Sequence, residues 1–378
     1  MVGTLQEFAL AEPRPANVAE IEAGLSAMWR SAAEASGSAV TRAAALTLLV
    51  YADCPEAVRE VSNLLADVTR QNPCRAIVMV MDASGSAPSI MATVSAHCHM
   101  PMEGGSQICS EQITLDARGD TGPELTSIVL PLTISGLPIY LWWRAGHFAM
   151  PAYFDQIFRV TQRVIVDSAR FKATRSDLAA LAAWSGKYSS RIRLSDLNWA
   201  RATPWREVIA QSFDVPERGS YLERIQEISI EYEMESVRFN TQRAVSLLLT
   251  AWLATRLGWE FHYAESRGPD MPRALYFRSS SGREIKVERT LRKVEGRGSG
   301  VCFSLVIEAE GARFSFSRGP DGKAVQTCAE VPGRPPIGRT VRIEVGGEVE
   351  LLNDELMLSG RDRVYEEALA LVARMTTY

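Results

Sequence analysis

Only six cysteines and four histidines stand among the 378 residues. A disulfide scaffold needs far denser cysteine, and a metal or thiol active site would draw on the same scarce residues. No charge of one sign dominates either. The 41 basic residues face 45 acidic ones, a formal net charge of −4, so the electrostatic footprint of a nucleic-acid-wrapping protein is missing. Nor is there an unbroken apolar run of membrane-spanning length. The longest uncharged stretch, Leu125 to Trp143, is divided by Pro131, Gly136 and Pro138. It reads as a buried helix ending near Gly136 and then a strand from Ile139 to Trp143, not as a membrane span. The opening MVGTLQEFALAEPRPA has no basic n-region, and Glu7 interrupts its apolar stretch, so no secretory signal is expected. The expected compartment is cytoplasmic, with thiols mostly reduced.

What is present is ordinary for a soluble globular protein: 46% hydrophobic and 23% charged residues. The length suggests two domains. Residues 17–35 predict a helix, with Asn17 at the N-cap and Glu20 at the capping-box position. Residues 41–52 and 75–82 predict buried strands on either side of a helix over 55–71. This alternation points to a mixed or parallel sheet. A hairpin follows over 89–99 and 106–116, then a helix over 123–135, a strand over 139–143, a helix over 152–161 and a strand over 163–171. Residues 174–215 read as mostly helical, broken at Pro204. Residues 224–233 alternate like a strand. The next helix spans 240–258, with Asn240 or Thr241 as its cap and Gly258 at its end. Beyond 260, short alternating runs predict an antiparallel meander, closed by a helix over about 361–376. The expected fold is therefore an α/β domain with a mixed sheet (1–173), a helical bridge (174–223), and an α+β domain with an antiparallel sheet (224–378).

Catalytic signatures are hard to find. There is no GxxxxGK[ST], GxGxxG or GxSxG motif, so a dinucleotide-binding chain of the usual type is disfavoured. The glycines of GRGSG (296–300) fall between two expected strands and read as a turn, and Ser84-Gly85-Ser86 reads as an ordinary loop. His97, Cys98, His99 and Cys109 form the only His/Cys cluster, but on a strand His97 and His99 face away from Cys98. No metal and no cofactor is expected. Two cysteine pairs are open to a redox role. Cys98 and Cys109 can sit side by side on the hairpin, and Cys54 and Cys74 flank one helix; the alternative for all four is small buried hydrophobes.

Two segments concentrate Trp and Arg. LPIYLWWRAG places Trp142, Trp143 and Arg144 at a strand end, where α/β folds form ligand crevices. DLNWARATPWRE gathers Asp196, Asn198, Trp199, Arg201, Trp205 and Arg206; Asn198 and Arg201 share a helix face, and Asp196 can cap the helix start. Trp and Arg are enriched at protein–protein hot spots, and Arg binds phosphate in bidentate fashion. The residues alone leave three readings: packing between domains, a partner interface, or a ligand site.

At these residues the chain resembles the glucose-6-phosphate dehydrogenase assembly proteins, also called OpcA. The similar segments are NPCRAIVMV (72–80), HCH…GGSQICSEQITL (97–115), LPIYLWWRAG (137–146), RVIVDSARF (163–171) and DLNWARATPWREVIAQSFD (196–214), in the family's order. The resemblance implies a non-enzymatic partner that binds glucose-6-phosphate dehydrogenase, in the oxidative pentose phosphate pathway, and favours its active oligomer. It supplies no catalytic residues. A rival reading is a sugar-phosphate sensor or weak enzyme using Arg75, Arg144, Arg201 or Arg206. No nucleic-acid or membrane partner is expected.

Overall fold

The computed structural model describes residues 6–36, 40–82, 87–100, 107–234, 241–266, 272–293 and 304–376. The Ser84–Ser86 loop, the possible cap Asn240 and the glycine run at 296–300 lie outside these.

Among the described residues nine strands build a first sheet. They are β1 (Gln6–Pro15), β2 (Val40–Arg42), β3 (Leu46–Ala52), β4 (Cys74–Asp82), β5 (Ser89–His99), β6 (Gln107–Arg118), β7 (Ile139–Trp143), β8 (Arg163–Val166) and β9 (Arg193–Asp196). Their spatial order is β1-β5-β6-β4-β3-β7-β8-β9, with β2 beside β6. The strands from β6 to β9 are mutually parallel. Counted in chain order, those six run 3-2-1-4-5-6, the doubly wound arrangement of dinucleotide-binding folds. β5 and β1 extend the sheet antiparallel beyond β6. The central strands β3, β4 and β7 are buried almost along their whole length, which is why they read as continuous apolar runs without alternation.

Eight strands form the second sheet: β10 (Ile225–Met234), β11 (Glu260–Ser266), β12 (Pro272–Arg278), β13 (Glu284–Lys293), β14 (Ser304–Ala309), β15 (Ala312–Arg318), β16 (Ala324–Glu330) and β17 (Ile337–Arg342). The order is β11-β12-β13-β10-β14-β15-β16-β17. Neighbours are antiparallel except β10 and β13, which run parallel. This corrects the purely antiparallel expectation. β10 leads into the helix Thr241–Arg256, and the chain re-enters the sheet through β11 and β12 before laying β13 beside β10, the long connection that a parallel pair requires.

Several local expectations hold. Asn17 caps the helix Val18–Ser36, its Oδ1 accepting from Ala19 N at 2.9 Å and Glu20 N at 3.3 Å. Gly258 sits at φ +67 after the helix Thr241–Arg256, a conformation only glycine adopts without strain. Other readings change. Residues 41–52 are two strands in different places: β2 pairs with β6, while β3 is central. The strand expected over 163–171 stops at Val166 and passes into a 3-10 turn at Ser168–Arg170. The stretch 174–223 is not purely helical, because Arg193–Asp196 forms the edge strand of the first sheet. Pro204 separates two short helices, Leu197–Arg201 and Thr203–Gln211, and stands in the first turn of the second, where its missing N–H costs nothing.

A helix the sequence did not reveal, Glu348–Met357, follows Gly347. It buries Leu351, Leu352 and Leu356 against Val61, Leu65 and Val68 of the helix Ala57–Gln71. The last helix, Arg363–Thr376, packs between the helices Thr174–Tyr188 and Thr241–Arg256. The chain's end thus returns to both faces of the first sheet, and one apolar core runs through the two sheets. Among the described residues no helix is long and apolar enough to cross a membrane.

Candidate functional site

In doubly wound folds, ligands enter the crevice beyond the carboxyl ends of the strands, where the order reverses. Here that point lies between β3 and β7, the places that open and continue the 3-2-1-4-5-6 series. The first strand–helix turn reads Ala52-Asp53-Cys54-Pro55-Glu56-Ala57. It has no glycine to let a pyrophosphate approach the backbone. The N-terminus of the helix Ala57–Gln71 favours anions, yet Glu56 and Glu60 already stand there, and Asp53 accepts a hydrogen bond from Gly146 N at 3.0 Å.

Arg144 stands at this point. The residue follows β7 directly, and its backbone N–H donates to Tyr51 O on β3 at 2.8 Å. Its side chain, 1% exposed, donates from Nη2 to Glu60 Oε1 at 2.8 Å and to Glu348 Oε2 at 3.1 Å, and its guanidinium lies 4.7 Å over the Trp142 ring. Glu348 opens the returning helix Glu348–Met357. Burial raises the Glu348 carboxyl pKa against the pull of Arg144. At Glu60 the balance reverses: burial works upward, but the hydrogen bond and charge of Arg144 hold it below the ordinary value. Two ion pairs sharing Arg144 thus join residues 60, 144 and 348 at the crevice.

A second polar cluster stands at the ends of β8 and β9. Asp196 Oδ1 accepts from Ser168 N and Asn198 N, both at 2.9 Å, and Oδ2 accepts from the Tyr365 hydroxyl at 3.0 Å. Asn198 donates to Ser168 Oγ at 3.0 Å. Arg201 grips Asp167 through both Nη atoms, at 3.3 and 3.0 Å. Trp199 Nε1 donates to Asp362 Oδ2 at 2.6 Å, and the Arg206 guanidinium stacks 3.5 Å from the Trp199 ring. Burial pushes the Arg206 pKa down to about 10. The DLNW…PWR segment therefore anchors the chain's C-terminal helix.

Burial, and then the neighbouring Asp167, raise the Asp196 pKa from 3.8 to about 6. The raised value favours the protonated form in the fold. Its contribution is fully present below pH ~4 and is lost as pH rises through ~6, and two units correspond to about 3 kcal/mol. Asp196→Asn removes the titration while keeping the shape. Urea denaturation of both proteins at pH 4 and pH 7 is expected to show wild type losing about 3 kcal/mol relative to the variant. Equal pH slopes would refute the assignment.

The Trp, Arg, Asp and Asn candidates of the two segments separate clearly on exposure. Trp142, Trp143, Arg144, Asp196, Asn198, Trp199 and Trp205 are all buried, none more than 4% exposed. Within the chain they pack against other elements, and only Arg201 and Arg206 are partly exposed. Of the four arginines of the sugar-phosphate reading, Arg75 is set apart from the others, while Arg144 and Arg201 both act on Glu348. Arg75 lies at the start of β4, bound to Glu111 and Glu22, while Arg144 lies beyond the opposite ends of the parallel strands.

Cys98 and Cys109, one of the two pairs open to a redox role, face each other across β5 and β6 and form a disulfide. Cys54 and Cys74 are free thiols. They stand at opposite ends of the 15-residue helix Ala57–Gln71, which at 1.5 Å per residue separates them by roughly 22 Å. Burial pushes the Cys74 thiol up to about 12, which leaves it inert. Peptide mapping without reductant is expected to recover Cys98 and Cys109 as one linked pair, with Cys54, Cys74 and Cys328 alkylated. Recovery of alkylated Cys98 would overturn this. Among the described residues no group of three or more His, Cys, Asp or Glu is placed to hold a metal ion.

Fold and site define a doubly wound protein with an ion cluster of Arg144, Glu60 and Glu348 at the point where the strand order reverses. A family described as the glucose-6-phosphate dehydrogenase subunit N-terminal domain matches residues 66–183, and its C-terminal domain counterpart matches 192–369. The chain belongs to this family, the OpcA proteins. It is 29% identical over 334 residues to the "Putative OxPP cycle protein OpcA" of Synechocystis sp., covering 83% of this chain and 66% of the relative. The protein of the same name from Synechococcus elongatus is 29% identical over 332 residues, covering 82% and 69%. The chain thus spans about two-thirds of the length of the curated relatives it matches. A crystal structure of a "putative oxidoreductase" from Parabacteroides merdae superposes with a TM-score of 0.52 at 11% identity, covering 89% of this chain and 97% of that one; the likeness is one of fold alone.

Proposed function

We propose that the chain is a non-catalytic partner of glucose-6-phosphate dehydrogenase that binds the enzyme and favours its active oligomer. Family membership supports the choice of partner. The observation that carries the non-catalytic part is the Arg144–Glu60–Glu348 bridge. It stands where a dehydrogenase of this fold would hold its dinucleotide, and the glycine turn is absent. The chain would act by binding one oligomeric state more tightly than the other. A coupling of about 1–3 kcal/mol would change apparent substrate affinity about 5–150-fold.

The deciding experiment titrates the purified chain into the cognate dehydrogenase while following co-elution and KM. Co-elution with a shifted oligomer distribution and a lowered KM is expected; separate elution with unchanged kinetics would end the proposal. Calorimetric titration of NAD+ and NADP+ into the chain alone is expected to give no saturable heat. Saturable binding would restore an enzymatic reading.

A further inference from the structure

At one end of the second sheet, far in sequence from the crevice motifs, a half-open cavity of about 930 Å3 is lined by three arginines, Arg224, Arg256 and Arg283, and by the turn Ser279–Ser281. Its apolar floor includes Ile225, Leu257, Ile285 and the largely buried Trp259. We propose that this cavity binds a small phosphate monoester, with the arginines and the serine turn holding the phosphate and the apolar floor taking a ring-sized body.

The argument starts from Glu310. It shares the tip of the two-residue turn between β14 and β15 with Gly311, at φ +31 and φ +82. The tight type I′ hairpin turn wants Asn, Asp or Gly at its first position, and Glu310 is the only non-glycine at positive φ among the described residues. The carboxylate at this uncommon position points at the arginines. Arg283 Nη2 lies 2.6 Å from Glu310 Oε1, and Arg224 Nε lies 4.0 Å from Oε2. Arg283 Nη1 also donates to Arg224 O at 3.2 Å, tying the two arginines together. One carboxylate therefore serves two guanidiniums and sits where a ligand's anionic group would sit.

A phosphate dianion fits that place better. Guanidinium forks match phosphate oxygens in bidentate geometry, and two forks with one carboxylate leave charge uncancelled. Across the cavity, Arg256 is paired with Glu367 on the terminal helix. The other acidic lining residue is Glu223, so the lining carries three cationic and two anionic side chains. The serine turn adds hydroxyls in a fixed arrangement. Ser279 Oγ and Ser281 Oγ lie 2.9 Å apart, and Arg283 N donates to Ser279 Oγ at 3.1 Å. Gly282, at φ +84, closes the turn. The volume is that of a small-molecule site, and it exceeds what inorganic phosphate needs.

Calorimetry on the full chain with phenyl phosphate, inorganic phosphate and phenol tests this. Saturable binding of phenyl phosphate is expected, with weaker binding of inorganic phosphate and none of phenol. Arg224→Ala and Arg283→Ala should each weaken phenyl phosphate at least about tenfold. Glu310→Gln removes the competing charge, keeps a hydrogen-bonding side chain and should tighten binding about tenfold. Opposite signs for the arginine and glutamate variants separate binding from mere loss of folding, which a thermal melt of each variant checks. Absence of saturable binding by both wild type and Glu310→Gln would overturn the proposal. So would phenyl phosphate binding that none of the three substitutions alters.

Discussion

Arg75→Ala is expected to cost about 3–5 kcal/mol of stability, the usual penalty for stripping one partner from a buried ion pair. Arg75 and Glu111 face each other from β4 and β6 with side chains 5% and 3% exposed. Arg75 Nε donates to Glu111 Oε2 at 2.8 Å, and its Nη1 donates to Glu22 at 2.7 Å and to Leu132 O at 2.9 Å. Removing the guanidinium leaves the Glu111 carboxylate with Arg42, which is half exposed, and the Trp29 indole. The backbone oxygen of Leu132 loses a donor as well. The double variant Arg75→Met/Glu111→Leu should recover much of the loss, because a buried pair replaced by apolar groups leaves no orphan charge. Urea denaturation of the three proteins decides it. A single variant within about 1 kcal/mol of wild type would show that solvent reaches the pair.

Trp143→Ala is expected to cost a further large amount, about 3–5 kcal/mol, and it tests whether this tryptophan packs or recognises. Its ring is 2% exposed, stacks on Tyr51 at 4.2 Å, and meets Phe154 and Phe148 edge-on at 5.5 and 6.0 Å. The indole Nε1 donates to His147 O at 2.9 Å, so the polar end is satisfied inside the chain. Truncation opens a cavity among aromatic rings that cannot collapse without moving strands. Trp143→Phe should retain most of the stability and lose mainly the hydrogen bond. If Trp143→Ala melted like wild type but failed to bind the dehydrogenase, the packing assignment would fail and the partner reading of this residue would return.

Local structure was readable wherever one short segment sufficed. The cap at Asn17, the helix ending at Gly258 and the hairpin of β5 and β6 follow from turn and capping chemistry confined to a few residues. The continuous apolar runs of β3, β4 and β7 announced buried strands. Boundaries failed where the partner lies far away in the chain. Arg193–Asp196 looks helical by its neighbours, and becomes a strand because β8 offers a parallel edge. The helix Glu348–Met357 carries a modest apolar face, which gains its meaning only against Val61, Leu65 and Val68.

The candidate site divides in the same way. The Trp and Arg residues of LPIYLWWRAG and DLNWARATPWRE stood out in the sequence, and the absence of a glycine-rich phosphate loop was plain. Their roles were not legible, since Trp142 and Trp199 read alike as anchors of an interface or of a core. Burial favours the core reading, and burial is a property of distant elements: residues 348 and 365 arrive from the far end of the chain to meet Arg144 and Asp196.

By itself, then, the sequence determined the secondary-structure chemistry, the lack of a phosphate loop or nucleophile motif, and the family to which its ordered motifs belong. Tertiary structure alone decided the doubly wound strand order, the Cys98–Cys109 bond, and the placing of Arg144 between Glu60 and Glu348. The physical reason is that strand order and ion pairing depend on which segments meet across hundreds of residues. Caps, turns and apolar periodicity depend only on neighbours a turn or two away.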